Sequence, residues 1–282
     1  MTLTSSNPSV GTAAAVPHLT IRPSSGWAAL DLRELWRFRD LLFTLAGRDL
    51  KLRYRQTFLG VAWVLLQPLF AAAVFTAVFG VVAKLSTTFL MSFAGMAVWN
   101  LFSTTMSKSS TSLVGNAQLV SKVYFPRLVL PLSAAVSSLV DFAITLVVLA
   151  VLMAFRGVAP GPALFALPLW VALAGIMGLA LGLYASSLTV SYRDVQYLLP
   201  VLMQLMLLAS PVGYEVPAEP RWFHVALMLN PMTGAIEAFR WSLLGTPAHW
   251  WAVAYSAAFA TIAFVSGALA FKRMERRFAD VI

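Results

Sequence analysis

The sequence predicts an all-α, polytopic integral membrane protein: six transmembrane helices, an N-terminal amphipathic surface helix and a re-entrant outer helical hairpin. Three observations carry that prediction. Of the 282 residues, 60% are hydrophobic and only 11% charged, and the mean hydropathy is +0.80. A soluble domain carries roughly 25% charged residues, and a single water-soluble core could not hide this much apolar surface. The apolar residues are gathered into runs of about the 20 residues that cross a bilayer. The cations, finally, are shared unevenly between alternate connections, as the positive-inside rule requires.

The spans are expected near 58–82, 88–107, 128–153, 164–189, 195–213 and 250–271. Gln56 to Ala83 carries no charge, and neither does Leu85 to Ser107. The third span contains Asp141 and is followed by the turn signals Pro160, Gly161 and Pro162. Tyr192-Arg193-Asp194 separates the fourth from the fifth, and Lys272, Arg273, Arg276 and Arg277 follow the sixth. With the N-terminus inside, sixteen of the twenty Lys and Arg residues fall on the inner side. Only Lys84, Arg156, Arg221 and Arg240 fall outside. Both termini are therefore expected in the cytoplasm. The net charge of +9 reads as topology and not as a nucleic-acid footprint. Residues 1–26, rich in Ser, Thr, Ala and Pro, read as a disordered cytoplasmic tail ahead of a single transmembrane domain over 27–282. No signal peptide is visible, because the first long apolar run begins near Phe58.

Two segments are not spans. In 31–55, Arg33, Arg37, Asp40, Thr44, Arg48, Lys51 and Arg55 recur at helical spacing and form one polar stripe. Leu32, Leu35, Phe38, Leu42, Phe43, Leu45, Ala46 and Leu50 fill the rest, with Arg39, Asp49 and Arg53 interrupting. This helix should lie along the inner membrane surface. In 214–249, the apolar stretch Arg221–Leu229 is too short to cross. Asn230-Pro231 then starts a second helix that Gly245 stops. Two short helices back to back suggest a hairpin dipping in from outside, although a plain interfacial helix pair has the same composition. Trp222, Trp241, Trp250 and Trp251 sit where an interfacial aromatic belt belongs.

Enzymatic signatures are missing. No G-x-x-x-x-G-K-[ST] phosphate loop occurs, and no Gly-x-Ser-x-Gly. His18, His224 and His249 are scattered without metal-ligand spacing, and there is no cysteine. No catalytic residue, metal or cofactor is expected. Asp141 is the one acid inside a predicted span. An intramembrane carboxylate costs about 2.5–3.5 kcal/mol on insertion scales. With no intramembrane His or Lys to relay to, it is read as hydrogen-bonded to a neighbouring span, with proton coupling the sharper alternative. Ala174, Gly178, Gly182 and Ser186 form a small-xxx-small series suited to close helix packing. Asn100, Ser103, Thr104, Thr105 and Ser107 should face protein or a cavity. Between the second and third spans, Gly115 and Pro126 bracket a short amphipathic segment. Its Leu119, Val120, Lys122 and Val123 suit either a docking knob for another protein or a plain connecting helix.

Three stretches carry a resemblance. The first is Arg48-Asp49-Leu50-Lys51-Leu52-Arg53-Tyr54-Arg55-Gln56-Thr57, continuing through Leu59-Gly60, Trp63 and Leu66-Gln67-Pro68-Leu69. The second runs from Asn116 to Pro131, with Leu119-Val120-Ser121-Lys122-Val123-Tyr124-Phe125-Pro126-Arg127 at its centre. The third is Arg193-Asp194-Val195, Pro200, Ser210-Pro211-Val212-Gly213-Tyr214 and Asn230-Pro231-Met232. In these the chain resembles the permease subunit of type-2 ATP-binding-cassette exporters, in the branch that moves polysaccharides, over about residues 30–280.

The resemblance implies a homodimer enclosing one channel in the bacterial inner membrane, driven by two copies of a separate ATPase subunit. It implies that 31–55 is a cytoplasmic gate helix. It assigns ATPase coupling to the loop holding Asn116, Gln118, Leu119, Val120, Lys122, Val123 and Tyr124. The cargo it implies is a lipid-linked glycan such as O antigen, capsule or teichoic acid. Arg48, Lys51, Arg53 and Arg55 would attract the glycan's pyrophosphate. Trp63, Trp99, Phe102 and Tyr184 are candidate channel-wall aromatics, able to stack on sugars without fixing a register. The rival expectations are a type-2 exporter of a small molecule or drug, a proton-coupled carrier using Asp141, and a membrane-embedded enzyme. The last would need a cluster of acids and bases on one side of the membrane, and none is seen.

Overall fold

Helix is the obligatory answer to so apolar a chain, because a segment crossing lipid must satisfy its own backbone hydrogen bonds. The computed structural model describes residues 32–54, 62–85 and 87–281, and among them every regular element is helical. The expected tail 1–26 lies outside the described residues, as does Arg55; so do the side chains of Arg53 and Trp63.

The surface helix is split. α1 (Leu32–Arg37) and α2 (Arg39–Tyr54) are separated at Phe38, where a single helix was expected. The Phe38 N–H is shared between the carbonyls of Glu34 and Leu35, at 3.3 and 3.2 Å, the bifurcation typical of a helix end. On α2, Leu45 and Ala46 are buried, whereas Phe43 and Leu52 are exposed. α3 (Ala62–Phe75) contains Pro68 and runs directly into a π-helical stretch, Thr76–Val82, which Lys84 closes with a positive φ of 53°.

α4 (Phe89–Gly115) is the hub. The Thr88 side chain caps it by accepting from the Met91 N–H at 3.3 Å, and every residue from Met91 to Trp99 is buried. A helix apolar on all sides needs partners on all sides. α3 is one of them. α4 also runs well past the expected end at 107. Asn116 joins it to α5 (Ala117–Lys122), and α6 (Val129–Phe155) returns alongside it, with α2 packed on α6. A 3-10 turn (Pro162–Ala166) leads into α7 (Leu167–Ser191), which packs on α4. That packing explains the small-residue series: a Cβ on Gly178 would lie 2.5 Å from the Phe102 carbonyl oxygen, and one on Gly182 2.6 Å from the Ser109 Cβ.

α8 (Val195–Leu208) has Pro200 inside it and ends well before 213. α9 (Arg221–Met228) and α10 (Pro231–Leu244) are the two short helices expected from the sequence. Asn230 caps α10 by accepting from the Met232 N–H at 2.9 Å, and Gly245 ends it in the left-handed conformation at φ 68°. α11 (Trp250–Val281) packs on α7 and α10.

Four of these helical segments are long and apolar enough to cross a membrane: 89–115, 129–155, 162–191 and 250–275. The apolar helices 66–82 and 195–208 are shorter. At 1.5 Å per residue α8 reaches about 21 Å, against a hydrocarbon core of about 30 Å. One end of the bundle carries α2, α5 and the close of α11, and is rich in cations. The other carries α9 and α10. These are called the basic end and the hairpin end. The main core surrounds α4, α7 and α10. A smaller one joins Leu45, Leu113, Val120, Phe125, Leu128 and Phe271 at the basic end.

Candidate coupling and gating sites

Asn116 is the hinge of the basic end. It terminates α4, and its carbonyl accepts from the Leu119 and Val120 N–H groups at 2.9 and 3.0 Å, opening α5. Its side chain faces both ways. Nδ2 donates to the Ser112 carbonyl at 2.8 Å, and Oδ1 accepts from Arg48 Nη2 at 2.7 Å. The same guanidinium donates to Asp49 Oδ1 at 2.9 Å. Arg48, expected to meet a lipid head group, is thus committed in part to tying α2 to the start of α5.

The remaining residues of this loop divide cleanly. Val120 is buried with Phe125 and Leu128, which anchor the loop in the smaller core. Gln118, Lys122, Val123 and Tyr124 are exposed, the last by 60% of its surface, and Leu119 is half-buried. Exposed aromatic and aliphatic side chains on a short, anchored helix form a surface that suits a protein partner. α11 braces the same loop. Glu275 accepts from the Arg127 N–H at 3.2 Å and pairs with Lys272 at 2.7 Å, while the Arg127 guanidinium donates to the Glu275 carbonyl. Lys51 is exposed on α2, with no part in this network.

Farther along α4 stands an ion pair. Lys108 Nζ lies 2.9 Å from Asp141 Oδ2 and 2.9 Å from Ser137 Oγ, and both charged side chains are largely buried. One expectation is corrected here: Asp141 does have a basic partner within the bundle, Lys108, which lies on α4 beyond the span end expected at 107. The expected role of Asp141, bonded to a neighbouring helix, holds. The pair bridges α4 and α6 and neutralises a charge that neither helix could carry alone into lipid.

The hairpin end holds a densely bonded side chain. Arg240 on α10 is almost completely buried. Its Nε donates to the Met91 carbonyl at 3.1 Å. Nη1 donates to the Pro211 and Tyr214 carbonyls at 2.9 and 3.1 Å, and Nη2 donates to the Val212 carbonyl. One planar fork thereby fastens α10 to the first turn of α4 and to the connection after α8. Gly95 leaves room for it: a Cβ there would meet Arg240 Nη2 at 2.4 Å. One turn earlier, buried Glu237 accepts from the His249 N–H at 3.0 Å and lies 3.1 Å from its Nδ1, holding the start of α11. Trp170, Trp241 and Trp250 cluster beside it, with centroids 4.9 and 6.4 Å apart along the chain of contacts. Sequence reasoning placed Arg240 on the outer side and assigned it no role. The available signal was an acid and a base one turn apart in an otherwise apolar segment.

The expected channel aromatics are dispersed. Trp99 and Phe102 lie 5.3 Å apart but are packed inside the protomer, 3% and 0% exposed. Tyr184 is half-buried, its ring against Gly267 of α11. A different aromatic row occupies the hairpin end: Phe75, Phe79 and Tyr214, at 5.4 and 4.7 Å. Among the described residues no group of His, Cys, Asp and Glu could hold a metal ion.

Residues 40–244 match the family model for ABC-2 type transporters. The chain is 32% identical, over 74% of its length and 82% of the relative's, to the O-antigen export system permease protein RfbA of Myxococcus xanthus. It is 26% identical, over 86% of its length and 95% of the relative's, to a protein of the same description from Klebsiella pneumoniae.

Proposed function

The chain belongs to the ABC-2 type transporter family, and from that premise we propose that it forms the channel of an ATP-driven exporter of lipid-linked polysaccharide, moving it outward across the inner membrane. It is a multi-pass membrane protein and a transport subunit, not an enzyme. The observation that carries the cargo assignment is the likeness to the Myxococcus O-antigen export permease across most of both chains.

In this reading two copies of the chain enclose the channel, and two copies of a separate ATPase subunit drive it. Both termini are cytoplasmic, with the basic end inside. α3 with its π-helical extension and α8 supply the two crossings beyond the four long ones. The exposed Gln118, Lys122, Val123 and Tyr124, with Leu119 behind them, seat in the ATPase, and Asn116 and Val120 hold that surface to the bundle. The Arg48–Asn116 hydrogen bond supports this assignment, because it gives α5 a direct handle on the gate helix α2. When ATP binding closes the ATPase pair, α5 moves as a rigid body with the base of α4 and pulls α2 with it. Lys51, Arg53 and Arg55, with the free face of Arg48, then meet the pyrophosphate of the lipid carrier. α9 and α10 form the re-entrant outer hairpin; the burial of α10 on all sides supports this. Trp63 and Tyr184 contribute to the sugar path, with Trp99 and Phe102 packed behind it.

Deleting the gene in its native cell tests the reading. Surface glycan should vanish while finished lipid-linked polymer accumulates on the inner leaflet. Normal surface glycan would move a small-molecule cargo to the front.

A further inference from the structure

A cavity of about 580 Å³ opens beside the hairpin end of α6, between that helix, the 3-10 turn before α7 and the end of α10. It is a size that holds a small-molecule ligand. Buried Leu149 and Met153 form its floor, Leu243 of α10 one wall, and Leu164 a rim exposed to the surroundings. No polar or charged side chain lines it. Such a lining favours hydrocarbon over water, which would find no partners inside. The cavity runs along α6 from Leu146 to Gly157. Leu146 to Arg156 rises about 15 Å at the helical pitch, which is half of a hydrocarbon core of about 30 Å. The cavity thus has the length of a single leaflet.

At the end where the hydrocarbon should stop stands a cation. Arg156 caps the C-terminus of α6, next to the Gly157 that lines the cavity, and it is exposed. Apolar length below and a positive charge at the polar boundary match one molecule: a phospholipid with an acyl chain in the groove and its phosphate beside the guanidinium. We propose that this cavity is a binding site for one acyl chain of an anionic membrane phospholipid, its head group held by Arg156. The bound chain fills the space between α6 and α10 and supports the outer hairpin from the lipid side. It lies at the hairpin end, away from the basic end.

The test uses the full chain in vesicles of phosphatidylethanolamine and phosphatidylglycerol, the latter carrying a photoactivatable diazirine at the end of one acyl chain. After illumination, adducts are mapped by peptide mass spectrometry. Labelling should concentrate on Leu149 and Met153 over Val147 and Val151, which are exposed on the same helix. Arg156→Ala, a surface change, should lower cavity labelling about fivefold, the equivalent of the roughly 1 kcal/mol that one basic residue contributes near anionic head groups. Ala150→Trp, which plugs the groove, should abolish it and leave Val147 labelled. Equal labelling of all four positions, or labelling indifferent to both variants, would show surrounding bulk lipid only and overturn the proposal. So would crosslinks from the cavity to a second copy of the chain.

Discussion

Arg240 meets four backbone carbonyls from two separate segments, and no other side chain type could do so. Replacing it by Met leaves buried acceptors unpaired, at about 1–3 kcal/mol each. Arg240→Met should therefore lower the unfolding temperature in detergent sharply. Arg240→Lys should recover only part of the loss, because an ammonium cannot reproduce the fork. The Lys108–Asp141 pair makes the complementary point. Breaking it from either side, by Lys108→Met or Asp141→Leu, should destabilise by about 3–5 kcal/mol, while the double variant should come close to wild type. A double-mutant cycle in thermal unfolding measures this. If Asp141→Asn instead stops transport in a protein of unchanged stability, Asp141 takes part in transport and the bridging role is wrong. Asp141 was legible as an acid bonded to a neighbouring helix, but its partner Lys108 and the bonding of Arg240 were not. Arg240 bonds to carbonyls as far as 149 positions away, and backbone carbonyls carry no sequence signal. Lys108 falls just outside the span expected at 88–107, because the uncharged run ends at Ser107. The helix carries on for another two turns, with Ser110 and Ser112 folding their hydroxyls back onto the Ser107 and Ser109 carbonyls at 2.7 and 2.8 Å, so polar residues there continue a helix in place of ending it.

At the scale of elements, helix α5 and its tie to α2 carry the coupling argument. Arg48 and Asp49 are substantially exposed, so the Arg48–Asn116 bond contributes little to stability. Asn116→Ala should leave folding intact and ATPase binding detectable, yet reduce glycan export for each ATP hydrolysed. A parallel fall in hydrolysis and export would place the residue in docking and not in transmission. The α4–α7 contact makes an opposite demand. Gly178→Ala sets a methyl 2.5 Å from the Phe102 carbonyl oxygen. Backbone cannot yield as a flexible side chain does, so the variant should be destabilised by about 1–3 kcal/mol, read as a lowered melting temperature. Element identity followed how directly length encodes it. α4, α6, α7 and α11 were legible because each is an apolar run long enough to cross. α10 was legible down to its ends, since Asn230, Pro231 and Gly245 are the residues that caps require. α3 and α8 matched less well: each contains a proline, Pro68 or Pro200, and composition alone cannot report where an apolar run leaves α-helical geometry, as at the π-helical 76–82 stretch and again after Leu208.

For the whole molecule, the two ends of the bundle differ in kind. The basic end exposes side chains on a braced loop, whereas the hairpin end buries a helix on all sides and locks it by charge. The proposed function gives the two ends different tasks: a surface to accept work at one and a closure at the other. The asymmetry of Lys and Arg is the part of this design on which the sequence makes a prediction, the basic end inside, because positive-inside placement is written in composition. Fusing alkaline phosphatase or a fluorescent protein to the C-terminus checks it; only the fluorescent fusion should be active. The most direct test of the central claim is translocation itself. The chain is reconstituted with its ATPase in proteoliposomes loaded with lipid-linked glycan on the ATPase-facing leaflet, and glycan reaching the opposite leaflet is followed with a lectin. The account predicts ATP-dependent transfer that is lost when the ATPase cannot hydrolyse ATP. Transfer that is independent of ATP, or follows a proton gradient instead, would contradict it.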